Sequence, residues 1–291
     1  MSGAHLLTCA AVAPGVGEDL SRVPDFPPSV DPDWFDAAQR LPGVRHRYLN
    51  DTTRYALAAA RQCADVGVSP ERLALCLGTS VGDASVRHVF DHTLARGGLD
   101  ALSTVSAPNI SANIAAAHVA IDRQAHALCS TVTSPFLAGF EALMLGMQAI
   151  QTRRADHALV IAAEEALPEG AGAAVLPGAI ALRLGRGASG NGHRLQPLGW
   201  GRLDPHGQLS ERLIVALARA PSAHAERTRL VVAAGTPVTW PKGLPFPEVL
   251  TCNDAGALAP LLCAMPTLLD HRPFILAAVY AHRYVAFISD R

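Results

Sequence analysis

The sequence predicts an α/β fold made of two duplicated halves, with long helices buried between sheets. Three observations predict it. Short apolar runs alternate with longer helical patterns, the same order of elements occurs twice, and the two longest apolar helices have almost no polar face.

In order, a helical pattern at 54–66 leads into RLALCLGTSVGD, whose apolar run 72–77 reads as a buried strand ending in Gly78-Thr79. A strand at 127–132 follows, then FLAGFEALMLGMQAI at 136–150. That run is too long for a strand, and its Leu, Met and Ala content favours helix. Glu141 and Gln148 within it argue for a core helix rather than a membrane span. Strands at 158–163 and 179–184 complete the first set. The second set begins with a helix at 211–219 and RLVVAAGTPVTW, again ending in Gly-Thr. Then come a strand at 248–252, a helix at 255–269 and strands at 274–280 and 284–289. Proline and glycine gather at 24–32, 169–178 and 236–247, which reads as loops and not as linkers between independent domains. The chain is therefore expected to form one fused unit, with an N-terminal half at 1–170 and a shortened C-terminal half at 171–291.

With 291 residues, 49% hydrophobic and 17% charged, the chain is large enough to bury a substantial core. Its formal net charge of -1 provides no basic field to gather nucleic acid or anionic lipid. The first residues lack a charged n-region, and Pro14-Gly15 interrupt the apolar stretch behind them, so a soluble cytoplasmic protein is expected.

The six cysteines are scattered, with no CxxC pair, and the histidines form no HExxH. No metal or cofactor is expected. His88 and His92 stand at i, i+4, which reads as one face of an exposed helix. Gly185-Arg-Gly-Ala-Ser-Gly190 fits GxGxxG after a strand, but no helix follows to receive a pyrophosphate, so it reads as an exposed turn.

Several motifs resemble the β-ketoacyl synthase family over nearly the whole chain. Thr8 to Gly17 is similar to its opening strand and turn, and Pro108-Asn109 with the helix at 112–121 to its Pro-Asn helix. The most specific is Thr133-Ser-Pro-Phe-Leu-Ala-Gly139, then a helix, Ala155-Asp156, a strand and Glu164, where the family reads Val-Thr-Ala-Cys-Ala-Thr-Gly with the same spacing. The resemblance implies a thiolase-like five-layer αβαβα architecture. It also places Phe136 at the position of the nucleophilic cysteine. A ketosynthase carries its acyl chain on a thiolate at a helix N-terminus, where the dipole and free N–H groups lower the thiol pKa. Phenylalanine offers no nucleophile.

Three further positions depart from the family in the same direction. The His-Gly-Thr histidine is matched by Ala234, before Gly235-Thr236. The second histidine's Gly-His turn is missing between Asn253-Asp254 and Ala255. A glycine-rich segment before the last strand becomes Ala278-Val-Tyr-Ala-His-Arg283, whose Tyr280, His282 and Arg283 would obstruct close backbone approach.

The pattern implies a non-catalytic partner subunit of the chain-length-factor type. It would form a heterodimer with an active β-ketoacyl-ACP synthase in aryl polyene, polyketide or fatty-acid-like biosynthesis, with acyl carrier protein delivering substrate. In the family the strand before the nucleophile pairs across the dimer axis. Carried over, this assigns Cys129, Thr131, Thr133, Ser134, Phe136 and Leu137 to the interface and acyl tunnel, with the helix at 109–121 helping to set chain length. Arg153-Arg154 is a candidate contact for the acidic carrier. Two alternatives stay open: an active acyltransferase using Cys129, which lies within a strand where a buried thiol is ordinarily inert, and a self-associating acyl-binding scaffold.

Overall fold

The structure, a computed structural model, describes residues 3–22, 24, 26, 29–31, 33–63, 67–168, 175–187, 194–202, 229–235, 248–252, 254–270 and 272–290. The first half contains β1 (Ala4–Val12), α1 (Ala37–Arg40), α2 (Asp51–Gln62), β2 (Leu73–Thr79), α3 (Ala84–Gly97), α4 (Ile114–Arg123), β3 (Leu128–Thr133), α5 (Ala138–Gln151), β4 (His157–Glu164) and β5 (Gly178–Gly185). The second contains β6 (Arg194–Arg202), β7 (Arg229–Ala234), β8 (Glu248–Thr251), α6 (Leu258–Leu268), β9 (Phe274–Tyr280) and β10 (Arg283–Asp290). The helix expected at 211–219 lies outside the described residues.

The strands run in the order β3-β2-β4-β5-β1-β6-β10-β9-β7-β8. From the central junction outward, the two halves repeat each other. β2 lies parallel between β3 and β4, as β7 does between β8 and β9. β4 then meets β5 antiparallel and β5 meets β1, as β9 meets β10 and β10 meets β6. Among the described residues, the strands of the two halves pair where Ala4 meets Leu195 and His5 meets Arg194. This is the expected duplication, in the thiolase-like α/β arrangement. β5, which follows the loop near 170, pairs with β4 and β1 of the first half.

Strand alternation sorts the core into layers. Leu73, Leu75 and Leu77 of β2 point to one face and pack with Leu159 and Ile161 of β4 under α2 and α4. Ala74 and Cys76 point the other way, toward the layer that holds Phe140, Leu143 and Met147 of α5 with Leu261, Leu262 and Met265 of α6. The far side of that layer is closed by Phe274, Leu276, Val285 and Phe287, on the strands of the second half. A helix clasped by sheets on both sides must be apolar all round, and this is why α5 and α6 read as they do in sequence.

Several boundaries move for local reasons. α2 begins three residues early because Asn50 caps it, its side chain accepting from the Thr53 N–H at 3.0 Å. β3 begins at Leu128, after Gln124 turns left-handed (φ 51°) and the 126 and 127 amides bond to the Pro70 and Leu73 carbonyls. α5 begins at Ala138 and not at 136, because Phe136 has φ +62°, which a right-handed helix excludes. Gly78 sits where β2 meets the first turn of α5, and a Cβ there would lie 2.1 Å from the Ala138 carbonyl oxygen. Gly78→Ala is accordingly expected to lower unfolding free energy by about 1–3 kcal/mol or more, as the shift of its urea midpoint will show.

Candidate functional site

The turn between β3 and α5 builds the site. Ser134 donates through Oγ to Glu141 Oε2 at 2.6 Å, which fixes the start of the turn against the first turn of the helix. Phe136 follows in left-handed backbone, and its N–H donates to the Ala255 carbonyl at 2.9 Å. A bulky residue rarely accepts that conformation, and holding it there costs on the order of 1–3 kcal/mol. The Phe136 ring is fully buried and stacks on Tyr280, with centroids 5.5 Å apart and planes 13° from parallel.

Gly235 closes over both rings. A Cβ at this position would come within 2.6 Å of the Phe136 ring and 2.7 Å of Tyr280, so only glycine fits. The loops after β3, β7, β8 and β9 thus converge on one point, bringing together Phe136, Gly235 beside half-buried Ala234, Ala255 and Tyr280. Residues from each of the four segments singled out in the sequence meet there. Two aromatic rings fill the space.

Two buried carboxylates at the end of β4 frame this point. Glu164 is fully buried and accepts from Thr79 Oγ1 (3.1 Å), Ser80 N (2.6 Å), Ser80 Oγ (2.7 Å), Val81 N (3.1 Å) and Ala257 N (2.7 Å). It therefore ties the turn after β2 to the N-terminus of α6, where a negative charge is favourable. Burial pushes its pKa up, against the pull of those donors. Next to it, buried Glu165 accepts from Ser85 N at 2.6 Å and Ser85 Oγ at 2.7 Å. Burial pushes its pKa up to about 7, with Asp51 and Asp83 adding to the rise. Sequence reasoning matched Glu164 to a motif and missed Glu165. The available signal was two acids directly after an apolar strand.

The remaining residues assigned from sequence divide into two groups. Ser134, Phe136 and Leu137 are buried inside the subunit, whereas Cys129, Thr131 and Thr133 lie on β3, at the end of the sheet order. The burial expected for Cys129 is corrected. It is exposed, because β3 is covered by a strand on one side only among the described residues. Its thiol pKa is nevertheless raised by desolvation, the opposite of what an activated nucleophile needs. Asn109 is held away from the turn, its Nδ2 donating to the Tyr48 carbonyl at 2.8 Å. His88 and His92 stack on exposed α3 with ring centroids 6.3 Å apart, and no group of three or more ligating side chains gathers among the described residues. Gly185 ends β5, and 188–190 of the glycine motif lie outside the described residues. No described helix is long and apolar enough to cross a membrane.

The geometry agrees with the comparisons. The family model for the β-ketoacyl synthase N-terminal domain matches residues 23–185, and the chain belongs to the β-ketoacyl synthase family. Its first-half boundary coincides with the end of β5. Among solved structures, the ishigamide ketosynthase/chain length factor is similar at 17% identity and TM-score 0.69, with 99% of each chain covered. The AntDE:AntF complex, a type II PKS acyl-carrier protein with its ketosynthase bound to the hexaketide, is similar at 13% identity and TM-score 0.70, also over 99% of each chain. The ketosynthase ApeO in complex with its chain length factor ApeC from Xenorhabdus doucetiae follows at 14% identity and TM-score 0.56, over 98% of this chain and 99% of that one. At these identities the likeness is one of fold. No curated protein matches the chain by sequence.

Glu165 makes the framework sensitive to pH. Its folded pKa lies above the unfolded value, so the unfolded chain loses the proton first and stability falls as pH rises from about 4.5 to about 7. Glu165→Gln removes that penalty while keeping an acceptor for Ser85. Measured by urea unfolding at pH 4.5 and pH 8, the variant's stability relative to the parent is expected to rise with pH, by at most about 3 kcal/mol.

Proposed function

We propose that this chain is a non-catalytic, chain-length-factor-type subunit that forms a cytoplasmic heterodimer with an active β-ketoacyl-ACP synthase and shapes its acyl tunnel. The observation that carries the reading is the buried Phe136 ring at the strand-to-helix turn, stacked on Tyr280 where a family member's thiol and acyl carbonyl would meet. A partner subunit is supported by two further features. β3 ends the sheet with one edge unpaired among the described residues, and such an edge is a liability until another strand covers it. Furthermore, α3 buries none of its residues, and Val89, Leu94, Leu99 and Val105 stand exposed in and after it.

In this reading the active subunit supplies the cysteine and histidines, and acyl carrier protein delivers the substrate. The similar structures with chain length factors and with an acyl-carrier protein support the same assignment. Products of the aryl polyene, polyketide or fatty-acid type fit the family. Thr131 and Thr133 on β3 lie at the proposed dimer axis and set the length of chain the complex accepts.

Co-expression with the ketosynthase recovered by pull-down tests the proposal. A soluble one-to-one heterodimer is expected, and bulky substitutions at Thr131 and Thr133 should shorten its products step by step. A well-behaved homodimer that ignores every ketosynthase, or product lengths constant across the series, would contradict it.

A further inference from the structure

A cleft of about 270 Å³ opens between the two halves of the molecule, apart from the Phe136 turn. Val132 of β3 and Met144 and Leu145 of α5 form one side, and Trp200 of β6 and Val285 of β10 form the other. The Glu141–Arg283 ion pair closes one end. Val285 and Met144 at the floor are almost wholly buried, Gln148 adds one polar group to the lining, and Trp200 at the mouth is 63% exposed. An indole left in water beside an apolar hollow is unusual on a finished surface. The volume falls just below the roughly 300–1,000 Å³ of small-molecule sites, which suits one large side chain better than a ligand.

The neighbouring backbone says what arrives there. Val132 belongs both to the cleft and to β3, the strand whose second edge has no partner among the described residues. A strand added to that edge would lie about 4.8 Å away, and every second side chain would stand on the same face as Val132, over the cleft. We propose that the Trp200 cleft is the anchor pocket for the active ketosynthase subunit: a large apolar side chain flanking the partner's edge strand inserts between Trp200 and Leu145. The inference rests on the partner-subunit reading above and adds the residue contact that would discriminate one partner from another. Desolvated pockets that receive a single large side chain carry a disproportionate share of interface affinity.

The test uses the full chain and the ketosynthase identified by pull-down, with Kd measured by sedimentation. Trp200→Ala removes one wall, Leu145→Trp fills the cleft from within, and Thr131→Pro blocks strand addition without touching the cleft. Thermal unfolding of each isolated variant serves as the folding control. Both cleft variants are expected to raise Kd roughly 30-fold or more, and Thr131→Pro to abolish binding. Loss of binding in Thr131→Pro, with both cleft variants within about twofold of the parent, would overturn the anchor and leave the partner reading standing. Absence of binding by the parent chain would remove both. A second copy of this chain bound in place of the ketosynthase, with the same sensitivity to Trp200→Ala, would overturn the choice of occupant.

Discussion

The structure turns on one ring in one strained turn. Phe136 is held at φ +62°, fully buried, with its amide bonded to Ala255 and its ring flat against Tyr280. Left-handed backbone at a phenylalanine is unfavourable in isolation, so the surroundings must impose it. They do so from both halves: β3 and α5 fix the two ends of the turn, and Ala255, Gly235 and Tyr280 close on it from the second half. A turn of this shape normally presents a nucleophile at a helix N-terminus. Here the turn presents a buried phenyl ring.

The carboxylates behind the turn explain how its geometry is held. Glu164 gathers five donors from the turn after β2 and from the start of α6. Leaving those donors unpaired in the core would cost more than keeping a buried carboxylate among them. On the opposite side Glu141 holds Ser134 and Arg283 together, linking the turn to the start of β10. The turn is thus braced by hydrogen bonds and an ion pair drawn from both halves. Phe136 adds apolar contact to a cavity that a thiol would leave open.

Most of the architecture could be read from the sequence because burial on both faces leaves a strong signature. α6 is apolar all round, α5 is so apart from Glu141 and its two glutamines, and β2 and β4 are continuous apolar runs. The convergence of Phe136, Ala234-Gly235, Ala255 and Tyr280 was implied by the family spacing, and the stack between two of them gives it physical form. Less legible were the features set by tertiary contact. The start of α5 depends on a positive φ at Phe136 that no propensity announces. The exposure of Cys129 depends on β3 being an edge, and that is a matter of topology. Trp200 gave no signal, since its alternation partners on β6 look like any other strand.

The central claim is that the acyl group never bonds to this chain. Intact-mass measurement of the purified heterodimer, after exposure to acyl-loaded carrier protein, tests it directly. A single acyl adduct on the ketosynthase and an unchanged mass for this chain is the predicted result. An acyl adduct on this chain, mapped to Cys129 or to any other side chain, would contradict the account.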